Sequence, residues 1–162
     1  MGHGRYEVTH RDPTNKALPA ILRTQGAVLQ VEIAPSLFTS SVSPLALITG
    51  LGAVDTGATI TAIDRRVFAA LGLSAIESRD VSTPSGMQVL EIHRIHIRLT
   101  QVGLELELPM VAAIDLSGGK VAVNGVPQDI IALIGRDILE RCVFTYNGPA
   151  ASFSLSVPEE IS

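Results

Sequence analysis

Apolar and polar positions alternate along most of the chain with a period of two, the mark of strands with one buried face. From Ala17, "ALPAILR" and then "GAVLQVEIA" read as two short strands, with Val28, Gln30 and Glu32 opposing Leu29, Val31 and Ile33. "PSLFTSSVSP", Pro35 to Pro44, is longer than a hairpin needs and reads as a surface excursion. The run "LALITGLGAV" returns as a buried strand that ends at Asp55. One stretch switches to a helical period: Val67, Phe68 and Leu71 form a stripe, Asp64 is placed as its N-cap, and Gly72 is placed to end it.

Alternation then resumes. "RDVSTPSGMQVLEI" predicts a hairpin turning at Thr83-Pro84-Ser85-Gly86. In "EIHRIHIRLT" the outward set is Arg94, His96 and Arg98, and the inward set is Ile95, Ile97 and Leu99. "LELELPMVAAI" alternates cleanly, "DIIALI" is a strongly apolar strand, and "GRDILERC" is a short helix. "CVFTYNGPAASFSLSV" predicts a last hairpin near Asn147-Gly148-Pro149. Residues 1–16 are polar and expected to be a loose arm, and residues 17–162 to form a single domain. The predicted architecture is mainly β, a closed or partly open barrel of short strands with one or two short helices.

Composition sharpens this. Hydrophobic residues make up 46% and charged residues only 17%, so part of the apolar surface is expected in a cleft or a subunit interface. The net charge is −4, and no basic run exceeds Arg65-Arg66, which points away from nucleic acid. Cys142 is the only cysteine, so neither an intrachain disulfide nor a thiolate zinc cluster can be built. With no secretory signal and no span-length apolar run, a reducing, cytoplasmic setting is expected.

Few residues offer chemistry. His93 and His96 are three apart, a spacing that sends them to opposite faces of a strand, so no shared metal is expected. Gly50-x-Gly52 begins like a dinucleotide loop but lacks the third glycine at a helix start. Cys142 has no histidine near it in sequence and reads as a structural thiol. No G-x-S-x-G motif occurs. That leaves "AVDTGAT": a strand ending in Asp55, then a sharp turn in which Gly57 gives backbone freedom and its N–H could face the carboxylate. Taken alone, Asp-Thr-Gly is equally an ordinary Asx turn.

About 80 residues later the chain reads hydrophobic-hydrophobic-Gly135-Arg136-Asp137-hydrophobic-Leu139. The two motifs in this order, with the Gly-containing hairpin between them, resemble the retropepsin-like aspartic proteases over roughly Gly26 to Leu139. The resemblance implies an acid-protease barrel with a flap and no metal or organic cofactor. It implies a homodimer acting on extended peptides with apolar residues at the scissile bond, because Asp-Thr-Gly occurs once and two carboxylates are needed. Asp55 would be catalytic, Thr56 would bond across the subunits, Gly57 would take substrate backbone, and Ala58 would line the cleft. Ser82, Thr83, Pro84, Ser85, Gly86 and Met87 would form the flap, Ile131 and Leu133 the apolar pockets, and Gly135 and Arg136 a structural turn. Thr59 stands where retroviral members commonly carry an acidic partner for that arginine, so Arg136 is expected to pair with Asp64 or Asp137. The competing readings are an idle dimer of this fold that serves as a binding or oligomerisation module, and an all-β binding domain with a chance Asp-Thr-Gly.

Overall fold

The computed structural model describes residues 4–38 and 46–159. In chain order its elements are β1 (Arg5–Thr9), α1 (Pro19–Gln25), β2 (Val28–Pro35), β3 (Ile48–Val54), β4 (Ala62–Asp64) and α2 (Arg65–Leu71). Then come β5 (Glu77–Thr83), β6 (Gly86–Leu99), a 3-10 turn (Thr100–Val102), β7 (Leu104–Ile114), β8 (Lys120–Val123) and β9 (Val126–Ile134). The chain finishes with α3 (Arg136–Leu139), β10 (Val143–Asn147) and β11 (Ser152–Ser156). The expected excursion from Pro35 to Pro44 falls largely outside the described residues.

Six strands close on themselves. β2 pairs antiparallel with β3, β3 parallel with β9, and β9 antiparallel with β4. β4 runs parallel to β7, β7 antiparallel to β6, and β6 returns antiparallel to β2. This ring is the mainly β, closed barrel that the alternation predicts, and closure removes the sheet edges that would otherwise stay unpaired. β5 extends outward from β6, and β8 from β9. The interior is filled by Leu29, Val31 and Ile33 of β2, Ile95, Ile97 and Leu99 of β6, and Ile134 of β9, with Val67, Phe68 and Leu71 of α2 in the same cluster. Gly50 and Gly52 belong to β3 and not to a nucleotide loop. A Cβ on Gly52 would stand 2.8 Å from the side chains of both Ile134 and Val31, so glycine there lets β3 pack against its two neighbours.

The helix α2 forms as its signals predict. Asp64 accepts from the Arg66 N–H at 2.9 Å, and Gly72 ends the helix in the left-handed region at φ 67°. Burial works against ionisation of the fully buried Asp64, but the hydrogen bonds and charge of Arg66 outweigh it and hold the carboxyl below its usual range.

Four expectations need correction. The first predicted strand is α1, because Pro19 is preset for a first helical turn and only Leu22 has to be buried. α3 and α1 bring the helices to three among the described residues. Residues 5–9 of the expected loose arm are β1, which pairs along its length with β11, itself paired with β10. Tyr6, Val8, Phe144, Phe153 and Leu155 line one face of this three-stranded sheet and pack against the core clusters. His96, expected outward, is buried: its Nδ1 lies 2.9 Å from Glu107 and its Nε2 2.6 Å from Glu105. Those carboxylates, on the adjacent β7, fold over the ring, and Glu107 also accepts from the Ser36 hydroxyl and the Leu37 N–H.

His93 is buried as well, stacked on Phe68 with ring centroids 3.8 Å apart and, among the described residues, with no hydrogen-bond partner for its Nδ1. Burial pushes its pKa below the ordinary histidine range, with Glu91 opposing. The unfolded chain therefore takes up this proton at a higher pH than the folded one. Stability should be fully present above about pH 6.5 and decline as the pH falls through the unfolded-state value. His93→Leu should flatten the urea-midpoint profile between about pH 7 and pH 5. An unchanged slope in the variant would assign the acid sensitivity elsewhere. Among the described residues, no helix is long and apolar enough to cross a membrane.

Candidate active site

Asp55 is the first residue beyond β3, and its backbone continues the parallel pairing with β9 by donating to the Ile134 carbonyl at 3.0 Å. The chain then turns back on itself. Ala58 N–H donates to the Asp55 carbonyl at 3.2 Å, and Gly57 N–H donates to Asp55 Oδ1 at 3.0 Å. The carboxylate is thus oriented by its own loop, is only part-buried, and among the described residues has only Oδ1 engaged. A Cβ on residue 57 would stand 3.2 Å from Oδ1, so glycine keeps this approach open.

The loop is held from below by the start of α3. Arg136 Nη1 donates to the Thr56 carbonyl at 2.7 Å and Nη2 to Thr59 Oγ1 at 3.1 Å, while Arg136 N–H donates to the Ala58 carbonyl at 2.9 Å. This corrects the expected pairing: Asp64 is engaged by Arg66, and Asp137 turns to Thr61. A neutral hydroxyl and a carbonyl replace the acidic partner, so the arginine acts here as a hydrogen-bonding fork. Asp137 accepts from Thr61 N–H at 2.9 Å and from its hydroxyl at 2.7 Å, and Thr61 Oγ1 in turn accepts from Gly135 N–H at 3.1 Å. Thr61 is fully buried with these partners. Thr61 is therefore a part of this brace that the sequence did not point to, while Thr59 and Asp137 take partners other than those expected. The one available signal was Asp137, the residue following Arg136.

Of the remaining predicted residues, Ile131 lies in the main core directly against Gly50. Leu133 is half-buried beside Ile60, Leu90 and Ala112. Ser82 to Met87 form the tip of the β5–β6 hairpin, whose end, among the described residues, pairs only within itself. Gly86 stands at φ 112°, and Thr83 Oγ1 closes the turn by donating to the Gly86 carbonyl at 2.8 Å. Met87 and Val89 beside the tip are 68% and 70% exposed, apolar surface offered outward on a projecting ribbon.

The sequence model of the family described as aspartyl protease matches residues 50–138, a span that holds the Asp55 loop, the hairpin and the Arg136 brace. This chain belongs to the aspartyl protease family. Solved structures similar to the protease include two other proteases. One is a retropepsin-like aspartic protease from Rickettsia conorii, with 13% identity, a TM-score of 0.48, and coverage of 97% of this chain and 95% of that one. The other is the protease of simian foamy virus (mac), with 16% identity, a TM-score of 0.42, and coverage of 70% of this chain and 92% of that one. No curated protein sequence matches the protease.

Gly86 supports a test of the hairpin. A β-branched residue at φ 112° is strained, yet a Cβ there meets open space. Gly86→Val should therefore cut peptide turnover at least about tenfold while lowering the melting temperature only slightly. Parallel losses of folding and turnover would make the hairpin a structural element and not a cover.

Proposed function

We propose that the protease is a homodimeric endopeptidase in which Asp55 and the partner's Asp55 share one proton and activate a water. The carrying observation is that the chain has a single Asp-Thr-Gly, whose part-buried Asp55 has only Oδ1 engaged among the described residues. Two such loops facing each other across a two-fold axis complete the pair. At a few ångströms the two carboxyls cannot both ionise, so one acts as base and the other as acid.

In this reading the ionised carboxylate takes a proton from the water as its oxygen attacks the scissile carbonyl carbon. The protonated partner gives its proton to the carbonyl oxygen. The resulting gem-diol collapses when a hydroxyl proton returns to one carboxylate and the amide nitrogen is protonated by the other, which breaks the C–N bond. The substrate lies extended under the residue 82–87 hairpin, so its backbone is gripped as an added strand and an apolar side chain enters a pocket near Leu133, whereas Ile131, expected to line a pocket, is buried in the main core. Thr56 stands where it can bond to the opposite loop, with Gly57 and Ala58 beside the peptide.

Dilution tests this directly. Activity per chain on an apolar peptide library should fall steeply as the protein is diluted through its dimer dissociation constant, in step with the monomer fraction from sedimentation. Constant specific activity from a species sedimenting as a monomer would overturn the shared site. A stable dimer with no turnover would instead favour the binding module.

A further inference from the structure

The β5–β6 hairpin has two faces of different chemistry, because directly paired strand residues point their side chains to the same side. One face carries Glu77 paired with Ile92 and Arg79 paired with Leu90. Ile92 is fully buried and Leu90 half-buried in the cluster that also holds Ile60 and Leu133. Leu133 pairs with Ala53, two residues before Asp55, and Ile60 follows the Asp55 loop. This face is therefore the underside of the hairpin, turned toward the Asp55 cleft. The opposite face carries Asp80 paired with Val89 and Ser82 paired with Met87, all exposed, and it points to solvent. Arg79 is the only basic residue from Glu77 to Ile92, and it lies on the underside.

We infer that Arg79 determines specificity in the protease: it selects an acidic side chain, Asp or Glu, in the substrate, outside the apolar residue that enters the pocket near Leu133. The inference rests on the endopeptidase reading above and names the substrate class of that site. Arg79 stands directly opposite Leu90, so its aliphatic stem continues the apolar roof, while the side chain stays 48% exposed on the cleft side. Among the described residues its one ion-pair partner is Glu77, held through Nε at 2.8 Å on the same face. A guanidinium has five N–H donors, more than one carboxylate occupies, so a substrate carboxylate can bind beside Glu77. Glu77 sits nearer the base of the hairpin, opposite the buried Ile92, and a peptide under the projecting half meets the arginine first. In the open cleft water screens the Arg79–Glu77 pair and keeps it weak. A peptide that covers the arginine removes that water and strengthens its hold on a carboxylate.

Matched peptides with an apolar scissile pair, differing only in Glu, Gln or Lys at one flanking position at a time, test this. Wild type should cleave the Glu peptide with a kcat/KM at least about fivefold above its Gln counterpart at one such position, and the ratio should shrink as salt rises. Arg79→Gln should bring that ratio to about one, and Arg79→Glu should turn the preference to Lys. The side chain is half exposed, so both variants should melt close to wild type. Asp80→Asn, the next residue but on the solvent face, should leave the ratio within about twofold of wild type. An equal shift in that variant would assign the preference to the net charge of the hairpin and overturn the role of Arg79. A wild-type ratio near one at every flanking position, or a preference that survives Arg79→Gln, also overturns it, while the cleavage itself upholds the endopeptidase. If confirmed dimer cleaves none of the peptides, both readings fall together.

Discussion

Asp55→Asn should reduce peptide turnover by about three orders of magnitude or more while leaving the barrel and the dimer intact. The amide keeps the shape of the carboxyl group, so Gly57 N–H can still donate to the oxygen at position Oδ1. It cannot accept a proton from water at neutral or mildly acidic pH, which removes the base from both halves of a two-fold site. The sharper test is mixing. When equal amounts of wild type and Asp55→Asn re-equilibrate, random pairing leaves about a quarter of the dimers with two carboxylates, so activity per wild-type chain should drop to about half. An enzyme complete within one chain would keep full activity per wild-type chain in the same mixture. That result, with subunit exchange verified, would remove the shared dyad.

Gly135→Ala should be the most damaging small substitution for the fold. The added Cβ would stand 2.6 Å from the Ile60 carbonyl carbon, 2.7 Å from its oxygen and 2.8 Å from Thr61 N, all backbone atoms with no rotamer to yield. Relief requires separating β9 from the 58–61 segment, where Gly135 N–H, Arg136 N–H and Asp137 N–H donate to Thr61 Oγ1, Ala58 O and Thr59 O. A loss of about 3 kcal/mol or more is expected, with activity lost beyond that because the Asp55 loop hangs on the same bonds. Gly148→Ala serves as the control: its Cβ meets only Tyr146 Cε1, at 3.8 Å, an ordinary contact. Urea titration of the two variants decides the matter. Equal midpoints would show that the crossing tolerates a side chain and that the brace is not what holds the loop.

What could be read along the chain was what short-range chemistry determines. The turn after β3, the capped α2 from Asp64 to Gly72, the hairpin at Thr83–Gly86 and the start of α3 all depend on residues a few positions apart. Period-two alternation likewise exposes which side of a strand is buried, since a one-residue slip would invert it. The same logic failed where a neighbour not adjacent in sequence supplied the burial. His96 looked outward until β7 laid Glu105 and Glu107 over it. Residues 5–9 looked loose because a polar strand needs only a partner's backbone, and that partner, β11, comes at the opposite end of the chain.

The site divides in the same way. Asp55, Gly57 and Gly135-Arg136 were legible because a carboxylate held by a tight turn and a glycine at a backbone crossing restrict residue identity. The partners of Arg136 were not. Arg136 and Asp137 are consecutive, and consecutive helical side chains point about 100° apart. One therefore reaches Thr56 and Thr59 on the Asp55 loop, and the other reaches Thr61 on the far side of the crossing. The sequence by itself determined the local turns, the buried stripes and the single Asp-Thr-Gly carboxylate. The tertiary structure alone decided the barrel closure by β2 on β6 and the hydroxyl brace beneath Asp55. These depend on which segments meet across 60 residues or more, a choice made by total burial and hydrogen-bond satisfaction over the whole fold.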